Sequence, residues 1–328
     1  MKYNRILNHP QIASLLARSV AASSSKSEPS SNARVAIASA KRVAKVGGDS
    51  GVQPMVNIDE LSFLYGTAWK EDATQQLTLM ALQQGFRGID TANQRKHYHE
   101  AAVGQAITAA IEQGLVTRDE LFLQTKYTFI GGQDQRLPYD PHAPIAKQVE
   151  QSLASSLKHL HTTRIDSYVL HGPSQRVGLG ADDWAAWRTM EAAQSRGEIR
   201  FLGISNVALD QLQLLVSQAE SPVTFVQNRC YAARGWDREV RQFCVANNIK
   251  YQGFSLLTAN RHVLGHPEIV ALSRKHGCSP SQVIFRFAID VGMLPLTGTA
   301  DQSHMQADLS VHQFCLTAAE VAAVEQLG

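Results

Sequence analysis

From residue 55 onward the chain alternates short apolar runs with longer segments whose apolar residues recur every three to four positions. The short runs read as strands: 63–67, 87–90, 121–126, 165–170, 199–204, 223–226, 249–254 and 293–296. The segments between them read as helices. Leu77, Met80 and Ala81 mark one face of the first, with Asp72 as its expected cap and Gly85 as its stop. Val149, Leu153 and Leu157 mark a later one, and Leu209, Leu212 and Val216 another. Strand and helix alternate eight times without a tandem repeat, so the expected fold is α/β, a single (β/α)8 TIM barrel opened by a short N-terminal hairpin. No strand–GxGxxG–helix unit is present, which argues against a doubly wound sheet.

Composition adds boundaries. Residues 1–53 are basic, serine-rich and nearly acid-free, and read as a flexible extension: a solvated tail or an organellar transit peptide. Residues 54–328 carry the barrel pattern. The expected location is therefore the cytoplasm, or a mitochondrion or plastid if the extension is a transit peptide. The formal net charge of +2 gives no reason to expect a nucleic-acid or membrane partner, and no apolar run approaches the ~20 residues that span a bilayer. Cys230, Cys244, Cys278 and Cys315 are scattered, so neither a disulfide frame nor a zinc site is expected. The pattern leaves the oligomeric state open.

Chemistry in such a barrel gathers at the C-terminal ends of the strands. Those ends carry Asp90, Lys126, His171, Ser205 with Asn206, Gln227, Phe254 with Ser255, and Thr299, while Tyr98 stands in the loop after Asp90. A phenol beside an ammonium is a tunable acid. The ammonium is expected to lower the phenol's pKa, and a carboxylate to hold the ammonium in place. A neutral His171 would orient a substrate oxygen. An acid that protonates oxygen suits carbonyl reduction with hydride from a cofactor.

The stretches YGTAWK, GFRGIDTA, FLQTKY, DSYVLHGP, IRFLGISN, VQNRCY, GFSLL and LPLTGT occur in the order and spacing of the aldo-keto reductases, which the chain resembles from Met55 to Gly328. The K-H-Y-x-E loop, with GTAWK and GGQD…PYDP, is similar to a plant and fungal branch. The resemblance implies Asp90, Tyr98, Lys126 and His171 as the catalytic tetrad, with Tyr98 the general acid. It implies Ser205, Asn206 and Gln227 on a nicotinamide carboxamide, Phe254 stacked on that ring, and Ser255 and Leu257 near the pyrophosphate. Thr67 and Trp69 would lie near the nicotinamide and the substrate. Trp69, His97, Tyr127 and Trp236 are expected around the substrate pocket.

The chain departs from the family pattern twice. The spacer between Asp90 and Tyr98, reading TANQRKH, is longer than usual, and the usual Tyr column falls on His97. The Lys and Arg that bind the adenosine 2′-phosphate in NADPH-dependent members are Gly298 and His304 here. Thr299 and the helix N-terminus near Asp301 are the alternative donors, and Asp308 replaces the Asn that meets adenine. NADPH remains the expected cofactor and NADH possible, with no metal and a small carbonyl compound as substrate. A nucleotide-binding redox sensor with little turnover is the alternative function.

Overall fold

The computed structural model describes residues 56–327. Eight strands close into a barrel: β1 (Leu64–Gly66), β2 (Gly88–Asp90), β3 (Phe122–Tyr127), β4 (Ile165–Leu170), β5 (Ile199–Ser205), β6 (Val223–Arg229), β7 (Lys250–Phe254) and β8 (Met293–Thr297). Every neighbouring pair is parallel, and β1 meets both β2 and β8. The helices are α1 (Thr74–Gln84), α2 (Glu100–Glu112), α3 (Ile145–His159), α4 (Ala181–Ser195), α5 (Leu209–Gln218) and α6 (Arg238–Ala246). After β7 come α7 (Arg261–Leu264), α8 (Pro267–His276) and α9 (Pro280–Asp290), and after β8 come α10 (Gln302–Leu309) and α11 (Ala318–Glu325). The expected barrel is the observed one.

Local chemistry sets the boundaries. Gly85 takes φ 110°, a left-handed conformation that bends the chain out of α1, and its N–H returns to Ala81 and Leu82. Asp72 does not cap α1: residues 71–73 form a single 3-10 turn ahead of it, and no side chain caps the helix. Gly104 lets α2 lie against the end of α3, since a Cβ there would meet the His159 carbonyl at 1.9 Å. Ser279 and Thr317 do cap their helices, each within a capping box.

Residues 1–53, the expected extension, lie outside the described range, as do residues 54 and 55 ahead of the expected hairpin. The hairpin is not formed: residues 56–63 are a turn without strand pairing. Val56, Ile58 and Leu61 pack there against the lower barrel interior, made of Leu64, Phe122, Phe225, Leu294 and Leu296. This plug is tied down by Arg200, which donates to the Val56 carbonyl at 2.9 Å, and by the Lys250–Asp59 ion pair at 2.6 Å. The floor of the barrel is thus apolar and closed, each large side chain contributing about 1.5–3 kcal/mol by burial. The larger core lies between strands and helices, around Tyr65, Tyr127, Trp187 and Trp236.

Candidate active site

Strand periodicity places the central pair. On β3 the inward residues are Phe122, Gln124 and Lys126, and Gln124 is in register with Asp90 of β2. The Lys126 ammonium donates to Asp90 Oδ1 at 2.6 Å and to the Thr91 carbonyl at 2.7 Å. Both side chains are buried. Burial pulls the Lys126 pKa down, and the Asp90 carboxylate opposes that pull. Breaking such a pair leaves a charge uncompensated in a dry interior.

The long spacer is ordered by the loop after β3. Asn93 donates to the Ser152 carbonyl at 3.0 Å, and Gln133 donates to the Asn93 carbonyl at 3.0 Å. Gln94 donates to the Gly132 carbonyl at 2.5 Å, while its own carbonyl accepts from the N–H groups of His97 and Tyr98 at 3.1 and 3.0 Å. That turn carries Tyr98 inward. Glu100, at the start of α2, is fixed by Thr125 and by His159. The Tyr98 ring stands edge-on to His171 at 6.1 Å and over the Lys126 ammonium, 5.2 Å from the ring centre.

Two expectations about this chain of groups are corrected. The ammonium faces the Tyr98 ring, and among the described residues the phenol oxygen has no hydrogen bond to Lys126 or His171. The phenol's pKa is raised, not lowered: burial contributes most and the Asp90 carboxylate adds to it. Burial, then Lys126 and His97, push the His171 pKa down to about 3, so its imidazole is neutral. Its Nδ1 lies 2.7 Å from the Thr128 hydroxyl.

On the far side of the mouth, Ser205 donates to the Gln227 carbonyl at 2.6 Å, and the Asn206 amide donates to the His171 carbonyl at 2.8 Å. Asn206 and Ser255, at the ends of β5 and β7, both have positive φ, 52° and 57°. Such backbone is costly for non-glycine residues and tends to collect at functional sites. Phe254 is half-buried on the inward face of β7. Gln227 directs Nε2 to Asp90 at 3.0 Å, and its Oε1 accepts nothing among the described residues. Thr67 spends its N–H and hydroxyl on the Asp90 carbonyl. Trp69 is 68% exposed, with φ 61°, and stacks on His97 at 4.0 Å.

The model of the Aldo/keto reductase family matches residues 63–328. The chain belongs to that family. It is 30% identical over 280 residues to the aldo-keto reductase AKR2E4 of Bombyx mori, covering 80% of this chain and 85% of the relative. It is 28% identical over 306 residues to a D-galacturonate reductase of Fragaria ananassa, covering 87% and 90%. Among solved structures, that of the Bombyx mori AKR2E4 in complex with NADP superposes with a TM-score of 0.68 at 27% identity, covering 81% of this chain and 88% of the other.

Some expected site residues of this aldo/keto reductase stand elsewhere. Tyr127 follows Lys126 by one residue, so it points out of the barrel, where it is buried against Phe129 and Tyr139 with its hydroxyl on Gln148. Trp236 is also a core residue: it is fully buried against Phe287 and donates to the Val324 carbonyl at 3.2 Å. The N-terminus of α10 is no free anion site, because Asp301 caps it and accepts from the His304 N–H at 3.0 Å. His304 is exposed, and the Thr299 hydroxyl accepts from the Asp301 N–H. Asp308 turns inward to Thr297 at 2.7 Å, and burial raises its pKa to about 6. Leu257 packs partly buried against the main core.

Three groups escaped sequence reasoning. Lys70, next to Trp69, is only 9% exposed. Its ammonium donates to the Gly298 carbonyl at 2.7 Å and lies over the Tyr65 ring, with no carboxylate in ion-pair range among the described residues. Thr128 supports His171. Gln124 and Gln252 share the barrel interior with Asp90. A cavity of about 950 Å³ opens beside Asn206 and Phe254 on the β5–β7 side, away from Tyr98 and Lys126, with Arg229 and Arg234 on its wall. Among the described residues no cluster of His, Cys, Asp and Glu is arranged for a metal, and no helix is long and apolar enough to cross a membrane.

Proposed function

We propose that this aldo/keto reductase reduces an aldehyde or ketone to the alcohol, with NADPH as the preferred hydride donor and Tyr98 as the general acid. The observation that carries the reading is the stack of Asp90, Lys126 and the Tyr98 ring, with a neutral imidazole beside it. The remaining polar groups suit a nicotinamide dinucleotide. Gln227 Oε1 is a spare acceptor for a carboxamide N–H, and Asn206 stands exposed next to it. Lys70 is a buried ammonium with no counter-ion among the described residues, which suits a phosphate at the place where Gly298 supplies no charge.

The bound cofactor supplies hydride to the carbonyl carbon. The chain supplies the rest. A carbonyl oxygen between Tyr98 and His171 takes the phenol's proton as negative charge develops on it. The raised pKa keeps the phenol protonated at neutral pH, so the proton leaves only for a strong base such as a developing alkoxide. Lys126, below the ring, stabilises the phenolate left behind. When the Thr128 hydroxyl donates to His171 Nδ1, the imidazole presents Nε2–H to the same oxygen.

Tyr98→Phe is the test, measured with both cofactors on a panel of aldehydes and ketones. Turnover should fall by about 10²–10⁴-fold while cofactor binding, followed by fluorescence, stays at the parent value. Reduction at the parent rate would overturn Tyr98 as the acid. Tight cofactor binding by the parent with no turnover on any carbonyl would favour a regulatory role.

A further inference from the structure

The inward layer beneath the catalytic pair is polar, although the interior of a parallel barrel is usually filled by branched aliphatic side chains. Gln124 of β3, Gln227 of β6 and Gln252 of β7 meet there, all buried. Gln124 Nε2 lies 2.7 Å and Gln227 Nε2 3.0 Å from Asp90 Oδ1, the same atom that receives Lys126. Gln252 Oε1 accepts from both of these amide nitrogens, at 2.8 and 2.9 Å, and Gln252 Nε2 returns to Gln124 Oε1 at 2.9 Å. The arrangement fixes its own amide orientations. Turning Gln124 over would set its oxygen against a carboxylate oxygen, and turning Gln252 over would set N–H against N–H.

Gln227 has a role in the cofactor reading, but Gln124 and Gln252 have none. A buried polar network stabilises only when it is fully satisfied, and this one ends on the atom that holds Lys126. We propose that Gln124 and Gln252 are positioning residues of the proton-donating chain: Gln252 clamps Gln124 and Gln227 so that both aim an N–H at Asp90 Oδ1, and this fixed acceptor holds Lys126 at the face of the Tyr98 ring. The inference rests on Tyr98 being the acid.

The charged and titratable groups around the phenol and the ammonium are Asp90 of β2, Glu100 of α2, His171 after β4 and His97 of the spacer loop. Asp90 opposes ionisation of the phenol, and the two amide donors offset part of its charge. Removing them should make the phenol harder to ionise.

Gln124→Met keeps the volume and removes one donor to Asp90, and Gln252→Met removes the acceptor that aims both donors; each is compared with the parent and with Tyr98→Phe. The expected result is a loss of about tenfold or more in kcat, with the KM for the carbonyl unchanged and, in Gln124→Met, the cofactor Kd unchanged as well. In the alcohol-oxidising direction, where the phenolate is the base, the rate rises with pH, and its midpoint should move up by about one unit. Gln252→Glu, when protonated, presents the same acceptor to both amides and an O–H to Gln124. It should stay near the parent at the acid end of the range and lose activity as its own carboxyl ionises.

Met variants with the parental kcat and midpoint would overturn the inference. So would losses confined to KM, Kd and thermal stability, which is what a purely structural role would give. Should the Met variants fail to fold, Gln252→Glu decides alone, and a parental pH profile in that variant would equally overturn the inference. An active Tyr98→Phe would instead sink the underlying reading. Parental Met variants beside an inactive Tyr98→Phe would sink only the role of the glutamines.

Discussion

Two lysines stand buried at the barrel mouth in opposite electrostatic settings. Lys126 has a carboxylate at 2.6 Å, a backbone carbonyl at 2.7 Å and a polar layer beneath it. Lys70 has one backbone carbonyl at 2.7 Å, an aromatic face 5.0 Å away and, among the described residues, no anion. The charge of Lys126 is answered within the fold, so it serves the groups around it. Among the described residues, no carboxylate answers the charge of Lys70. Burial alone lowers the Lys70 pKa to about 8, whereas at Lys126 the carboxylate counteracts the same effect.

The largest expected effect comes from making Lys126 resemble Lys70. Asp90→Ala removes its counter-ion and also strips Gln124 and Gln227 of their shared acceptor. Losing one partner of a buried pair costs about 3–5 kcal/mol, so urea unfolding should show a drop of that order along with lost turnover. An Asp90→Ala variant as stable as the parent would break the contrast, because Lys126 would then tolerate the setting of Lys70.

Lys70→Met should act in the other direction on the protein without cofactor. The unfolded lysine titrates at 10.5 and the folded one at about 8. The folded state therefore binds fewer protons than the unfolded state between those values, and stability rises with pH across that window. Below pH 8 the full cost of burying the charge is present, up to about 3 kcal/mol for a shift of that size, and above 10.5 it is gone. Lys70→Met should thus raise the Tm at pH 7 and lose that advantage towards pH 10.5. It should also weaken NADPH by about tenfold or more, the worth of a charge-assisted hydrogen bond, and NADH by less if the adenosine phosphate is the partner. Unchanged NADPH affinity by titration calorimetry would leave Lys70 a structural residue.

The barrel was readable because its strands are apolar runs that end in polar residues at each return. Asp90, Lys126 and His171 follow from that pattern alone. Period-two alternation carries further still. It puts Tyr127 on the opposite face from Lys126, and Gln124 on the same one. Trp236 was not readable. Gly235, Trp236 and Asp237 all have positive φ, and that kink turns the indole into the core through long-range packing. Lys70 was hidden for a related reason, since Trp69 and Glu71 on either side of it are also left-handed. Propensity gives no warning of such turns in non-glycine residues.

The smallest effect is the most discriminating. Gly298 occupies the position where NADPH-dependent relatives are expected to carry lysine, and a Cβ built there lies 3.9 Å from the Lys70 ammonium and 3.4 Å from the Gly66 carbonyl. A side chain at 298 therefore fits without a severe clash, and Gly298→Lys would set a second ammonium beside the first. If Lys70 already serves the phosphate, the new lysine adds little in the parent, a gain in NADPH affinity below about threefold, because two like charges compete for one anion. In the Lys70→Met background the same substitution should recover about tenfold. Groups that share a ligand depart from additivity by about 0.5–3 kcal/mol, which is within reach of calorimetry. Equal gains in the two backgrounds would mean that the two positions serve different parts of the cofactor, and that the unpaired charge of Lys70 answers to something other than the phosphate expected at Gly298.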